Sequence, residues 1–147
     1  MSLCLNGMKA ECADDVRSIV LTDRCGKIVY CNASWSLMCG FTLEEVIGKT
    51  NAVLQGPLTE RYKTEFIKNS LRRGEPFSTT ITNYKKNGWP FKNLLTVSPL
   101  EDGFCAEVQD LGHCRYGTDF FKAMSSRLGT NDCSTILQKT CSSVLPV

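Results

Sequence analysis

The pair Asn87-Gly88 constrains this chain more than any other two residues. It lies between "PFSTTITNYKK" and "WPFKNLLTVSPL", two runs rich in threonine, aromatic and branched residues. Asparagine and glycine tolerate the backbone angles of a tight reversal, so Asn-Gly between two β-prone runs is a strong hairpin signal. A second reversal at Asp102-Gly103 leads into "FCAEVQDL", residues 104–111. Together the two turns predict three consecutive antiparallel strands.

The chain ahead of them supplies the rest of the domain. "SIVLTD" (18–23) and "IVYCN" (28–32) are β-rich runs joined by the glycine-containing turn "RCGK". "ASWSLMCGF" (33–41) spaces Trp35, Leu37, Met38 and Phe41 as a short helix would. In "TLEEVIG" (42–48), Thr42 caps a helical turn with Glu45 three residues on, and Gly48 ends it. "LTERYKTEFIKNSLRRG" predicts a longer helix with Thr59 as N-cap, an apolar stripe of Tyr62, Phe66 and Leu71, and Gly74 as terminator. Two strands, helices, then three strands predict an α+β domain, one antiparallel sheet with helices on one face. The organisation expected is an N-terminal cap over 1–17, the domain over 18–111 and a helical extension over 112–147. In that extension Thr118 is the expected N-cap, Phe120, Phe121, Met124 and Leu128 share one face, and Gly129 is the stop.

A length of 147 residues suits one domain with a single core. The net charge of +2 gives no electrostatic case for nucleic acid or a membrane surface. No apolar run approaches the roughly 20 residues of a spanning helix, and "MSLCLNGMKAECADD" lacks the apolar stretch of a secretion signal, so a cytoplasmic location is expected. The nine cysteines are odd in number and include no C-x-x-C pair, which predicts scattered reduced thiols and no metal site. His113 is the only histidine, which argues against a histidine-based triad and, with no other catalytic set in view, against an enzyme.

The segment "GKTNAVLQG", Gly48 to Gly56, carries the functional signal. With the order of elements around it, it resembles the PAS fold, and within that fold the LOV (light-oxygen-voltage) subfamily of flavin-binding blue-light sensors. The resemblance covers about residues 18–111, and the subfamily pattern G-x-N-C-R-F-L-Q-G matches at Gly48, Leu54, Gln55 and Gly56. "NYKKNGWPFKN" resembles the strand pair that supplies two asparagines, here Asn83 and Asn93, and "VQDL" resembles the last strand with its ring-contacting glutamine at Gln109. The resemblance implies FMN as cofactor, held by Thr50, Asn51, Leu54, Gln55, Lys68, Asn83, Asn93, Leu95 and Gln109. It also implies a homodimer or an effector partner, engaged through the sheet or the C-terminal helix.

The chemistry of these side chains agrees with that implication. A flavin ring is a flat apolar body edged with alternating donors and acceptors, and a carboxamide offers one of each without adding charge. Strand alternation places Asn83 with Phe77, Thr79 and Ile81, and Asn93 with Phe91, Leu95 and Val97.

The sequence departs from the pattern at three places. Asn51 stands where the subfamily has its reactive cysteine, and an amide is no nucleophile; from sequence, Cys39 or Cys105 remain open as spatial substitutes. Ala52 and Lys68 stand at positions where arginines usually meet the phosphate, with Lys49 and Lys63 nearby. A lysine holds phosphate as a point charge, without the bidentate geometry of arginine. Glu107 stands where a glycine lies beneath the ring, and it either enters the pocket or faces solvent in a different register.

Without the thiol, the expected signal is flavin photoreduction or redox state, with Trp35, Trp89 and tyrosines as donors and Gln109 and the C-terminal helix as the output path. The alternatives are a PAS interaction or dimerisation module with an empty or differently filled pocket and, least supported by the residues, a flavoenzyme.

Overall fold

The computed structural model describes residues 4–113. The helical extension expected beyond them, with Phe120, Phe121, Met124 and Leu128, lies outside the described residues. The elements run α1 (Leu5–Cys12), β1 (Ser18–Asp23), β2 (Ile28–Cys31), α2 (Ala33–Cys39), α3 (Leu43–Val46), a 3-10 turn (Asn51–Leu54), α4 (Arg61–Arg73), β3 (Phe77–Tyr84), β4 (Pro90–Pro99) and β5 (Gly103–His113). The five strands form one sheet in the order β2-β1-β5-β4-β3, every neighbouring pair antiparallel. This is the α+β arrangement that the turn signals predict. β5 lies at the centre, so both flanking hairpins are sewn together through it.

Thr42, Gly74 and the Asn87-Gly88 turn act as the sequence predicts; Thr59 does not, and of the expected α4 stripe Tyr62 and Phe66 are exposed. Thr42 and Glu45 form a reciprocal capping box. α2 ends on Gly40 at φ +87 and α4 on Gly74 at φ +64, the left-handed conformation that glycine enters without steric cost. In the β3–β4 reversal, Gly88 N donates to Lys85 O at 2.9 Å and Trp89 N to Asn87 Oδ1 at 3.0 Å. Thr59 does not cap α4. Glu60 occupies the N-cap position, while the Thr59 hydroxyl accepts from Gly56 N at 2.9 Å and donates to Thr82 O at 2.7 Å. Thr59 therefore ties the end of "LQG" to β3 instead of starting a helix.

The main core lies between the sheet's inner face and α2, α3 and α4. Trp35, Cys39, Val46 and Leu54 meet Val20, Phe91, Val97, Phe104 and Val108 there. Helices do not keep to one face, however. α1 covers part of the other face, where Leu5, Met8 and Cys12 pack on Ile19, Leu21 and Cys105. The reason is in β1, where Ile19, Val20 and Leu21 are all buried. A strand apolar on both sides needs cover on both.

Asn32 fastens the two layers. Its Oδ1 accepts from Ile19 N at 3.1 Å and caps α2 by accepting from Trp35 N at 3.0 Å. Its Nδ2 donates to Cys12 O at 2.9 Å and Arg17 O at 2.8 Å. Every hydrogen-bonding position of this buried amide faces a partner, as a buried polar group requires.

Candidate functional site

Between α4, the 3-10 turn and strands β3, β4 and β5 lies a cavity of about 400 Å³. That volume falls in the ~300–1,000 Å³ range of small-molecule sites. Its far walls are apolar: Ile67, Leu71, Phe77, Ile81, Leu95, Val97, Phe104, Ala106 and Val108 all line it.

The amides are set at defined points in that apolar wall. Strand alternation brings Asn83 and Asn93 to the same face, 5% and 1% exposed, and Asn93 Nδ2 donates to Asn83 Oδ1 at 2.8 Å. Asn83 Nδ2 donates to the carbonyl of its neighbour Thr82 at 3.3 Å. Asn93 Oδ1 is buried and has no partner among the described residues. The 3-10 turn carries Asn51 to the cavity wall, and its Oδ1 is likewise buried without a partner. An unpaired buried acceptor costs about 1–3 kcal/mol, and both residues that carry one, Asn51 and Asn93, line this cavity.

The segment holding Asn51 is fixed by backbone bonds. Ile28 N donates to Lys49 O at 2.7 Å, Gly48 N to Ile28 O at 2.8 Å, and the Thr50 hydroxyl accepts from Ala52 N at 3.3 Å. Gly56 closes the motif beneath the Tyr84 ring. A Cβ there would lie 2.4 Å from the ring carbons, so only glycine admits the approach.

Of the residues singled out from sequence, Thr50, Asn51, Leu54, Gln55, Lys68, Asn83, Asn93 and Leu95 line this one cavity. Thr50, Gln55 and Lys68 are exposed at its rim and Leu54 is buried. Gln109 does not join them, which corrects the expectation. It is exposed on the opposite face of β5, and Val108 takes the inward position. The physical reason is strand alternation anchored by pairing. Leu95 is opposite Val108 and Leu94 opposite Gln109, so the face that carries Leu95 inward carries Gln109 outward. The same register resolves Glu107. It points away from the cavity, and its carboxylate lies 3.7 Å from the Arg17 guanidinium.

The remaining candidates sort clearly. Lys63 reaches Thr80 Oγ1 at 2.9 Å and the Glu60 carboxylate at 3.7 Å, so it is engaged outside the cavity wall. Among the described residues, neither Trp35 nor Trp89 lines the cavity. Cys39 is buried in the core, and burial holds its thiol up at about 11. Cys105 faces the α1 side, its thiol also raised by burial to about 11. Neither lines the cavity, whereas Cys25, unremarked in the sequence pattern, does.

Comparisons with known proteins agree with this architecture. The sequence profile of the PAS domain matches residues 16–110. Phototropin-1A of Oryza sativa subsp. japonica is 41% identical over 75 residues, 51% of this chain and 8% of that protein. A blue-light-activated histidine kinase of Brucella anthropi is 36% identical over 74 residues, 50% of this chain and 15% of the kinase. The chain thus spans a small part of the curated relatives it matches. Among solved structures, the LOV domain of a blue-light activated histidine kinase from Erythrobacter litoralis superposes with a TM-score of 0.64 at 27% identity, over 66% of this chain and 97% of that one. The PAS domain of the fruit-fly ELK potassium channel superposes with a TM-score of 0.69 at 24% identity, over 74% of this chain and 98% of that one, a likeness of fold.

Proposed function

This chain belongs to the PAS domain family and has LOV homologues, and from that premise we propose that it is a LOV-like sensory domain that binds FMN and signals without a pocket thiol at the motif position. The observation that carries the reading is Asn93 Oδ1, buried, unpartnered and on the wall of a cavity of about 400 Å³. A ring N–H would satisfy it. Asn83 and Asn93 hold the polar edge, the apolar walls hold the ring body, and Thr50, Gln55 and Lys68 stand at the rim toward the polar chain. The outward turn of Glu107 supports the reading, because no carboxylate competes for the ring's space.

When bound, a flavin supplies blue absorption and one- or two-electron redox chemistry. The side chains around the cavity decide how that chemistry is used. Asn51 lines the cavity at the position where the resemblance puts the subfamily's thiol, and an amide there is no nucleophile. Val108 in the inward position of β5 offers no hydrogen bond to reverse, so the output does not run through Gln109. The paired amides Asn83 and Asn93 on β3 and β4 are the polar groups whose bonding would respond to a change of charge in the cavity.

The test is the absorption spectrum of protein purified after supplementation with FMN. A structured blue band with wild type is expected. Blue light should leave that band unbleached in wild type and bleach it reversibly in Asn51→Cys. Colourless protein would overturn the flavin reading, and it would favour the second one, a PAS interaction or dimerisation module. That second reading draws on the loss of an inward glutamine and on Ala52 and Lys68 in place of rim arginines.

A further inference from the structure

α4 turns its aromatic stripe outward. Tyr62 and Phe66, one helical turn apart, are 72% and 43% exposed. The other side of the helix, with Thr64, Ile67 and Leu71, lines the cavity, and Ser70 is buried. Exposed apolar residues scattered singly need no explanation. Val16, Leu37, Ile47 and Leu111 are of that kind, each on a different segment. Only on α4, among the described residues, do two large exposed apolar side chains share one face. That face is also preformed: the Phe66 ring stands edge-on to Phe77 of β3, with centroids 5.7 Å apart.

The same helix concentrates the positive charge. It carries Arg61, Lys63, Lys68, Arg72 and Arg73 against Glu65 alone, a net +4 in a chain of net +2. Lys63 is engaged with Thr80 and Glu60, Lys68 lines the cavity, and Arg73 lies 3.4 Å from the exposed Glu75. Arg61 and Arg72 are exposed and form no ion pair among the described residues. Aromatic rings beside arginines are the side chains that protein-binding surfaces favour.

Charge decides what can cover this face. A second copy related by a two-fold axis would set α4 against α4, cation against cation. The residues after His113 carry Arg115, Lys122, Arg127 and Lys139 against Asp119 and Asp132, again net positive. A lipid surface would accept the charge, but Glu65 and Asn69, both exposed, interrupt the apolar face that would have to enter it. A carboxylate-bearing peptide meets neither objection, and the planar guanidinium fork matches a carboxylate.

We propose that the outward face of α4 docks an acidic peptide segment of a partner protein. A large apolar side chain of the peptide packs on Tyr62 and Phe66, and its carboxylates pair with Arg72 and Arg73 in the last turn. From Phe66 to Arg72 the helix rises about 9 Å, which an extended peptide spans in about three residues. None of these four side chains lines the cavity, so the site stands whether or not flavin is bound.

The probe is a labelled peptide in a Gly/Ser frame, with one tryptophan and, three and four positions on, two glutamates. Its binding to the full chain is followed by fluorescence anisotropy, beside the same peptide with glutamines for glutamates. The glutamate peptide should bind at least tenfold more tightly than the glutamine one, and less tightly as salt rises. Tyr62→Ser should weaken it at least tenfold, and so should the pair Arg72→Glu and Arg73→Glu. FMN uptake should be the same in all these variants. The charge-reversed chain should gain binding to a peptide with lysines in the glutamate positions, which also shows that it is folded. Equal affinity for the glutamate and glutamine peptides, or no loss in either variant, would overturn the proposal. So would binding to phosphatidylserine vesicles without binding to the peptide, which would make the face a membrane contact. Self-association of wild type that Arg72→Glu abolishes would also overturn it, because a second copy would then be the occupant.

Discussion

The two faces of the sheet are cut from the same five strands but solve opposite problems. On the outer face, polar groups meet partners or water. Glu107 lies beside Arg17, Arg17 is bonded to Asp15 at 2.7 Å, and α1 covers the apolar remainder with Leu5 N donating to Asp102 Oδ1 at 2.9 Å. On the inner face, Asn93 and Asn51 each keep a buried acceptor without a partner beside a cavity. A fold stabilised only for its own sake would fill such a space with apolar side chains, as the outer face does under α1. The unfilled, half-satisfied face is where binding is to be sought.

The largest effect should come from the seam that both faces share. β1 and β5 pair from Ser18 opposite Val108 to Asp23 opposite Gly103. A Cβ on Gly103 would sit 2.0 Å from the carbonyl oxygen of Thr22, a backbone atom that cannot swing aside. Gly103→Ala should therefore cost more than about 3 kcal/mol in denaturant titration. A loss under about 1 kcal/mol would mean that β1 and β5 do not meet in this register, and the contrast between the faces would need redrawing.

A smaller effect separates the faces directly. Gln109→Val, on the exposed side of β5, should change stability by no more than about 0.5 kcal/mol and leave FMN uptake unaltered. Val108→Gln places an amide at a site 4% exposed. It should cost about 1–3 kcal/mol without ligand, because the amide is buried unpaired, and much less with a ligand that bonds it. If Gln109→Val is the costly change, the strand presents its other face to the cavity.

This strand also shows where sequence reading succeeds and fails. In β4, Phe91, Asn93, Leu95 and Val97 alternate with Lys92, Thr96 and Ser98, so the inward set follows from periodicity and the amides are placed correctly. In β5 the same alternation puts Phe104, Ala106 and Val108 on one face and Glu107 and Gln109 on the other. Periodicity alone reads that strand correctly; similarity to the subfamily motif pulls Gln109 inward, against its own charged neighbour. The caps Thr42 and Gly74 act through local bonds and are legible for that reason. Three features depend on contacts that only the folded chain brings together. They are the fourfold bonding of Asn32, the cover that α1 gives β1, and the place of Cys25 at the cavity mouth.

The smallest effect is electrostatic and again sets one side against the other. Asp15, on the α1 side, has its carboxyl held down at about 2 instead of 3.8, chiefly by the side-chain hydrogen bond from Arg17. Glu45, in α3, is held at about 2 instead of 4.5, chiefly by the hydrogen bond from Lys86. Both folded values are depressed, so each contribution is present above the unfolded value and is lost as pH falls toward 2. Both groups lie at the surface, and salt should weaken both. They differ in reach: Asp15 and Arg17 are two residues apart, a contact the unfolded chain can keep, whereas Glu45 and Lys86 are 41 apart and join α3 to the β3–β4 loop. Only the second pair is specific to the folded state. In thermal melts from pH 6 to pH 2, Glu45→Gln should start below wild type and converge with it as the pH passes from about 4.5 to 2. Asp15→Asn should track wild type more closely throughout. If Asp15→Asn shows the larger low-salt difference, then Arg17 acts on the fold through its contact with Glu107 of β5, and the outer face depends on charge more than its apolar cover under α1 suggests.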